Sequence, residues 1–187
     1  MASSRIDLRK SKVLLVDDNP QSLELLSQIL TGFRVRQITP CRSASEAKPM
    51  LALERFDLIL IDFDMEEEDG VALVRHIRSQ DKEPNYTTPI VVMHGYTPHH
   101  MVTKVRDAGA NLVVKKPLAP GILLKRIEWV ARSHRDFVSA PNFTGPDRRF
   151  KAGVGSEQGE ERRADALALV SDPDRALSQD DISALFG

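Results

Sequence analysis

The sequence contains a single cysteine, Cys41, and aromatic residues make up only 5% of its 187 residues. A lone cysteine cannot form an internal disulfide, so the chain suits a reducing compartment. No apolar run approaches the ~18 residues that a membrane-spanning helix needs, and residues 1–10 lack the apolar core of a signal peptide. The formal net charge is −1, which gives no reason to expect extensive nucleic-acid binding. These absences predict a cytoplasmic protein without DNA binding or membrane insertion.

The sequence does contain enough apolar material for one ordinary domain, with 41% hydrophobic and 28% charged residues. Residues 1–10 are predicted to be a loose lead-in. Beyond them, apolar runs alternate with amphipathic segments over residues 11–135, which is typical of a parallel sheet covered by helices on both faces. The predicted strands span residues 12–16, 33–39, 58–61, 89–93 and 112–114. The predicted helices span residues 20–32, 43–54, 71–78, 98–108 and 118–134, and Pro49 is expected to kink or shorten the second.

Acidic residues follow two of the predicted strands. Asp62 ends the apolar run in DLILIDFDM, and the pair Asp17 and Asp18 ends the run in VLLVDD. If the two strands are neighbours in a parallel sheet, the three carboxylates converge and repel one another unless a cation lies among them, and Mg²⁺ is the natural choice. Lys116, after the last strand, could pair with an anion held there. The pattern predicts a phosphorylation site, and the alternative is that these acids are only solvated loop residues.

The composition changes near residue 136. Residues 136–176 are rich in Pro, Gly, Glu, Arg and Ser, which predicts a flexible linker. Residues 177–187, LSQDDISALFG, carry a capping-box pattern and predict a short amphipathic helix with Ile182, Leu185 and Phe186 on one face. A helix this short is not stable alone, so its expected use is docking into a groove. The alternative is a helix that packs on its own domain.

Residues 11–135 resemble the receiver domain of two-component response regulators, the CheY-like superfamily. The motifs that carry the resemblance are VLLVDDNP, DLILIDFDM, the Asp69-Gly70 pair, the strand at 89–93, and VVKKP. The resemblance implies an α/β flavodoxin-like fold, with five parallel strands and five helices.

The resemblance also implies a role for each site residue. Asp62 is the phosphoacceptor, which receives its phosphoryl group from a histidine kinase or phosphotransfer protein. Asp17 and Asp18 hold Mg²⁺ with the backbone carbonyl of Asp64. Lys116 pairs with the phosphoryl oxygens and precedes a cis peptide bond to Pro117. This is a phosphorelay role in which the chain itself is not an enzyme.

Three positions depart from the family pattern. His94 stands where the family has Thr or Ser, Val113 where it usually has an aromatic switch residue, and Glu66 where it has proline. Metal binding is expected to survive because no ligand is lost, whereas coupling through a hydroxyl and an aromatic ring is not expected. The His94 imidazole either donates a hydrogen bond to the phosphoryl group or faces solvent at the strand end. Glu66 is expected to make the rim of the pocket more negative.

The end of the chain carries a second resemblance. Residues 177–187 are similar to the peptide by which FliM and CheZ engage CheY, on the face formed by its fourth helix, fifth strand and fifth helix. Val113 is expected to belong to that partner-binding face. The peptide could dock in cis, dock on another receiver in trans, or compete with a flagellar switch protein.

These features together predict a single-domain response regulator that acts through protein contacts in chemotaxis or flagellar control. One alternative is a phosphorylation-independent CheY-like adaptor that binds cyclic di-GMP through the tail pairs at 148–149 and 162–163, although isolated Arg-Arg pairs are also common in solvated linkers. Another alternative is a haloacid-dehalogenase-like phosphatase, because Asp62-Phe63-Asp64 is a DxD motif.

Overall fold

Five parallel strands form the central sheet in the order β2-β1-β3-β4-β5. The computed structural model describes residues 6–80, 84–133, 135–140 and 143–147. The strands of this sheet are β1 (Lys12–Val16), β2 (Gln37–Cys41), β3 (Leu58–Asp62), β4 (Ile90–His94) and β5 (Leu112–Lys115). The helices are α1 (Pro20–Gly32), α2 (Ala44–Leu53), α3 (Gly70–Ser79), α4 (His99–Asp107) and α5 (Pro120–Arg132). The predicted fold class is confirmed.

The strands are apolar on both faces because helices cover the sheet on both sides. Alternate residues of β1 and β3 point to opposite faces and join two separate cores. One core lies beneath α2, α3 and α4 and includes Leu14, Val16, Ile59 and Ile61. The other lies beneath α1 and α5 and includes Val13, Leu15, Leu58 and Leu60. The strand order makes β1 and β3 neighbours, so their carboxyl ends meet at one edge, where open α/β sheets bind ligands.

The second strand begins later than predicted. Residues 33–36 form the turn that ends α1, in which the Arg34 backbone has a φ of 69° and the Val35 N–H donates to the Leu30 carbonyl at 3.0 Å. Val35 is buried in the core beneath α1, which explains its apolar character without a strand. In α2, Ser43 caps the first turn by accepting from the Glu46 N–H at 3.2 Å. Pro49 does not shorten this helix, which continues to Leu53.

Two strands follow α5 that the sequence did not predict. β6 (Phe137–Ala140) and β7 (Phe143–Pro146) pair as an antiparallel hairpin. The prediction of a flexible linker over 136–176 is therefore wrong for these two segments. The hairpin packs near the turn between α4 and β5, where Gly109 has a φ of +100° and a Cβ added to it would lie 2.2 Å from the Thr144 carbonyl oxygen.

Arg78 at the end of α3 connects the hairpin to the domain. Its side chain is 3% exposed, and its guanidinium lies 5.3 Å from the centre of the Phe137 ring. The same group donates to the carbonyls of Gly109, Tyr86 and Thr88 at 3.0, 2.6 and 2.9 Å. Burial lowers the pKa of Arg78 to about 9, and these acceptors supply the hydrogen bonds that a buried guanidinium requires.

Several predictions lie outside the described residues. These are the helix at 177–187 with Ile182, Leu185 and Phe186, and the arginine pairs at 148–149 and 162–163. They stay predictions, as do the boundaries of the predicted segments at 1–10 and 11–135. Within the ranges that the structure describes, no helix has the length and apolar character needed to cross a membrane.

Candidate functional site

Three carboxylates meet at the carboxyl edge of the sheet. Asp17 follows β1 and is 1% exposed, Asp62 ends β3 and is 7% exposed, and Asp18 is half-buried. One oxygen from each lies within 4.8 Å of the others. Strand burial explains the arrangement, because the apolar residues before each acid fix the ends of adjacent strands in register, with Val16 opposite Ile61. The structure thus brings together the three acidic side chains that the sequence predicted to converge.

Lys116 provides the positive charge of this cluster. Its ammonium lies 2.7 Å from Asp17 Oδ2 and 2.5 Å from Asp62 Oδ1, and the bond to Pro117 is cis. Burial acts to lower the pKa of Lys116, but the hydrogen bonds to both carboxylates outweigh it and raise the pKa. One ammonium among three carboxylates leaves an excess of negative charge. Hard oxygen donors with excess negative charge fit a divalent cation such as Mg²⁺.

Asp62 lies in a partly dehydrated position. Burial raises the pKa of its carboxyl group, while the hydrogen bond from Lys116 acts in the opposite direction. The close approach of α3 to this residue depends on Gly70, because a Cβ added there would lie 2.2 Å from the Asp62 carbonyl oxygen. Asp69 caps the same helix by accepting from the Ala72 N–H at 2.7 Å. The Asp69-Gly70 pair therefore closes the loop that follows the predicted phosphoacceptor.

Three acids of the run at 66–69 contact two neighbouring helices. Glu67 accepts from the Ser45 hydroxyl and Glu68 from the Lys48 ammonium, each at 2.6 Å, on α2. Asp69 accepts from Lys104 on α4 at 2.9 Å. These contacts connect the β3–α3 loop to α2 and α4. The expectation that Glu66 makes the pocket rim more negative stays a prediction.

Glu66 contributes its backbone to the pocket. Its N–H donates to Asp18 Oδ2 at 2.9 Å, and its side chain is exposed. This contact orients Asp18. The sequence predicted that Asp18 belongs to the cluster but did not indicate which group would hold its side chain.

His94 does not face solvent, so that interpretation of the residue is wrong. Only 12% of its side chain is exposed, and its Nδ1 lies 2.9 Å from Asp64 Oδ2, although the two atoms are not aligned as a hydrogen bond. Its ring centre is 4.7 Å from that of Phe63. The Asp64 carboxylate, 69% exposed, is thus directed toward His94. The role of the Asp64 backbone carbonyl as a metal ligand stays a prediction.

Val113 is 5% exposed and belongs to the core beneath α4, with Phe63, Val102 and Val105. The prediction that it contacts a partner at the surface is therefore wrong. The reason is its size, since a valine ends inside the core at a position from which a larger aromatic ring could extend to the surface.

Two residues of the site were missed from the sequence. The Asn19 N–H donates to Asp17 Oδ1 at 3.0 Å, and the Ser22 hydroxyl donates to Asp17 Oδ2 at 2.5 Å. Asn19 precedes Pro20, a combination that predicts a helix start. Ser22 lies in the first turn of that helix, and a polar residue there is close to the end of the preceding strand. Its position in the sequence was therefore the available signal for a contact with Asp17.

The comparisons with known proteins agree with this geometry. Residues 13–128 match the family model described as "Response regulator receiver domain". The chain is 30% identical over 121 residues to the "Probable chemotaxis protein CheY" of Rhizobium etli, covering 65% of this chain and 92% of that protein. It is 28% identical over 130 residues to the "Transcriptional regulatory protein KdpE" of Staphylococcus aureus, covering 68% of this chain.

The chain spans only 54% of the length of that KdpE protein. Among solved structures, the chemotaxis protein CheY4 of Vibrio cholerae superposes with a TM-score of 0.60 at 28% sequence identity, covering 64% of this chain and 98% of that one. The match over residues 13–128 includes the sheet, the acidic cluster and Lys116, and it ends before the hairpin begins. The chain belongs to the response regulator receiver domain family.

Proposed function

We propose that this chain is a response regulator that accepts a phosphoryl group on Asp62 and acts in the cytoplasm through protein contacts. The observation that carries the proposal is the position of Asp62, a buried carboxylate at the end of β3 within 2.5 Å of the Lys116 ammonium and next to Asp17 and Asp18. The donor is a histidine kinase or a phosphotransfer protein, and the chain is an acceptor and not an enzyme.

The chemistry follows from the four charged groups. An oxygen of Asp62 attacks phosphorus, a new oxygen–phosphorus bond forms, and the bond to the donor nitrogen breaks. Lys116 is placed to pair with the oxygens of the incoming group, since its ammonium already lies between two anions. Asp17 and Asp18 are the side chains that would hold Mg²⁺. When bound, this ion neutralises charge on the transferred group.

We propose that signals reach α4 through the loop after β3, because the hydroxyl and the surface aromatic ring of the usual relay are both replaced. Phe63 follows Asp62 directly and its ring lies against His94. The Lys104 ammonium on α4 is 5.4 Å from the centre of the Phe63 ring and 2.9 Å from Asp69 Oδ2. A shift of this loop on phosphorylation of Asp62 would therefore change both contacts of Lys104, the one with the Phe63 ring and the one with Asp69.

The output that we propose is chemotaxis or flagellar control. It is supported by the CheY proteins of R. etli and V. cholerae among the matches and by the peptide predicted at 177–187. That peptide would dock on a receiver face in cis or in trans, or compete with a flagellar switch protein.

Neither alternative is favoured by a specific contact. The cyclic di-GMP adaptor depends on arginines at 148–149 and 162–163, outside the described residues, and the comparisons do not favour it. A DxD phosphatase uses both acids of its motif, whereas the Asp64 carboxylate lies against His94, 2.9 Å from its Nδ1.

The proposal is tested with beryllofluoride and Mg²⁺, which imitate a phosphorylated aspartate, and with acetyl phosphate as a donor. Wild-type protein should show shifts of the backbone amides around residues 17–18, 62–66 and 116, and it should gain a phosphoryl group by mass spectrometry. Asp62→Asn should abolish both responses. Asp57→Asn is the matched control, because Asp57 is an exposed acid just before the opposite end of the same strand and its replacement should leave both responses intact. A wild-type protein that neither shifts nor gains mass contradicts the proposal.

A further inference from the structure

A closed ring of hydrogen bonds surrounds the carboxylate of Asp17. Its Oδ1 accepts from the Asn19 N–H at 3.0 Å. The Asn19 side chain accepts from the Ser22 N–H at 3.2 Å, and the Ser22 hydroxyl donates back to Asp17 Oδ2 at 2.5 Å. Both oxygens of the most buried acid of the site are therefore held by residues within its own segment of chain.

We propose that Ser22 is a positioning residue of the acceptor site, which holds Asp17 in place when Lys116 turns toward an incoming phosphoryl group. This inference rests on the proposed function. It adds a residue that the resemblance did not assign and that the sequence analysis did not select.

The need for such a residue follows from the way Lys116 is shared. Its ammonium lies 2.7 Å from Asp17 Oδ2, 2.5 Å from Asp62 Oδ1 and 3.4 Å from the Ser22 hydroxyl oxygen. A lysine that pairs with a phosphoryl group on Asp62 has less of its charge available for Asp17. Because Asp17 is almost fully buried, an oxygen left without a donor there carries a desolvation cost. The Ser22 hydroxyl removes that cost, since it continues to donate to Oδ2 when Lys116 moves.

Ser22 does not serve as the cap of α1. Asn19 has that role, because its side chain accepts from the Gln21 and Ser22 N–H groups. The Ser22 hydroxyl can therefore face the site. It donates a hydrogen bond to Asp17 and accepts one from the Lys116 ammonium. The first turn of a helix also stabilises a nearby anion.

The experiment compares Ser22→Ala with Ser22→Thr, which keeps the hydroxyl, and with Ser27→Ala, a serine on the same helix outside the ring. In metal-free protein, hydrogen exchange of the Asn19 amide should be faster in Ser22→Ala only. In a Mg²⁺ titration followed by backbone amide shifts, Ser22→Ala should raise the dissociation constant about threefold to tenfold, the typical effect of one lost hydrogen bond. Ser22→Thr and Ser27→Ala should stay within about twofold of wild type.

The two proposals fail in different ways. If Ser22→Ala binds Mg²⁺ as tightly as wild type, the positioning role is overturned while the proposed function stands. If wild-type protein does not respond to Mg²⁺ at all, both are overturned. Ser22→Cys keeps the size of the side chain with a weaker donor, so a Mg²⁺ affinity below that of wild type in this variant supports the role even where the alanine variant folds poorly.

Discussion

Lys116 and Asp17 form an ion pair of 2.7 Å in which the carboxylate is 1% exposed. The same ammonium contacts Asp62 at 2.5 Å, so one positive charge stabilises two buried negative ones before any ligand binds. A divalent cation at this site would share its carboxylates with a resident ammonium, so one side chain would link the stability of the domain to the occupancy of the site.

Replacing Lys116 with methionine should destabilise the metal-free protein by about 1–3 kcal/mol, because two buried carboxylates lose their charged donor. Added Mg²⁺ should restore part of the loss, since it binds the folded state. Urea unfolding with and without Mg²⁺ measures both effects. Lys115→Met is the matched control, because the neighbouring Lys115 is exposed and should change stability by less than about 0.5 kcal/mol. Equal stabilities of the two variants would contradict the assigned contact.

The contact between Asp69 and Lys104 predicts a dependence on pH. Partial burial acts to raise the pKa of Asp69, but the hydrogen bonds from Lys104 and the Ala72 N–H outweigh it and lower the pKa below the ordinary 3.8. A group whose pKa is lowered by folding stabilises the protein above its unfolded pKa, and this contribution is lost as the pH falls through its folded pKa. In Lys104→Met, the Asp69 pKa should rise toward 3.8 in a carboxyl NMR titration.

The exposed Lys125 on α5 provides the control for that titration. Lys125→Met should leave the Asp69 pKa at its wild-type value, because Lys125 lies on a different helix. An unchanged Asp69 pKa in Lys104→Met would show that the ion pair does not form in solution.

Phe63 is expected to couple the acceptor site to α4. In Phe63→Leu, the Lys104 ammonium loses its contact with an aromatic ring, a contact worth about 0.5–1 kcal/mol. Beryllofluoride with Mg²⁺ should still shift the amides near Asp62, but the shifts of α4 amides should become clearly smaller. Phe33→Leu, beyond the end of α1, is the control and should leave the α4 response unchanged. Full transmission to α4 in Phe63→Leu would rule out this route.

The hairpin should depend on Gly109. Gly109→Ala places a Cβ against the Thr144 carbonyl, at a φ of +100°, which should cost about 1–3 kcal/mol of stability and increase hydrogen exchange of amides in β6 and β7. Gly32→Ala is the control, because a Cβ there meets nothing within 4 Å. Equal stability of the two variants would mean that the hairpin does not pack where the structure places it.

Cys41 should be unreactive in the folded protein. Its side chain is buried, and burial followed by the nearby Glu46 charge raises the pKa of the thiol to about 11. Because the thiolate is the reactive form, labelling by a thiol reagent at pH 8 should be slow in buffer and fast in urea. Rapid and complete labelling of the folded protein would contradict the buried position.

The sequence predicted those strands and site residues that are marked by patterns of neighbouring residues. Apolar runs of four or five residues identified β1 and β3, and the acids that follow those strands identified the cluster. Strand ends are fixed by the residues just before them, so local patterns were sufficient to place Asp17 and Asp62.

The features that were missed depend on residues far apart in the chain. The partners Lys104 and Asp69 are 35 positions apart, and Arg78 is 31 positions from Gly109, whose carbonyl it contacts. Nothing in the local pattern around Phe137 indicates that a guanidinium will lie against its ring. Such contacts form only when the fold brings distant segments together, so the local pattern of apolar and polar residues does not predict them.

The hairpin also has a defined position relative to the acceptor site. The Asp147 N–H donates to the Asp136 carbonyl at 2.7 Å, and β7 packs beside Gly109, just before β5. The hairpin is therefore anchored at the amino edge of the sheet, a strand length of about 17 Å from the opposite edge where Asp62 lies.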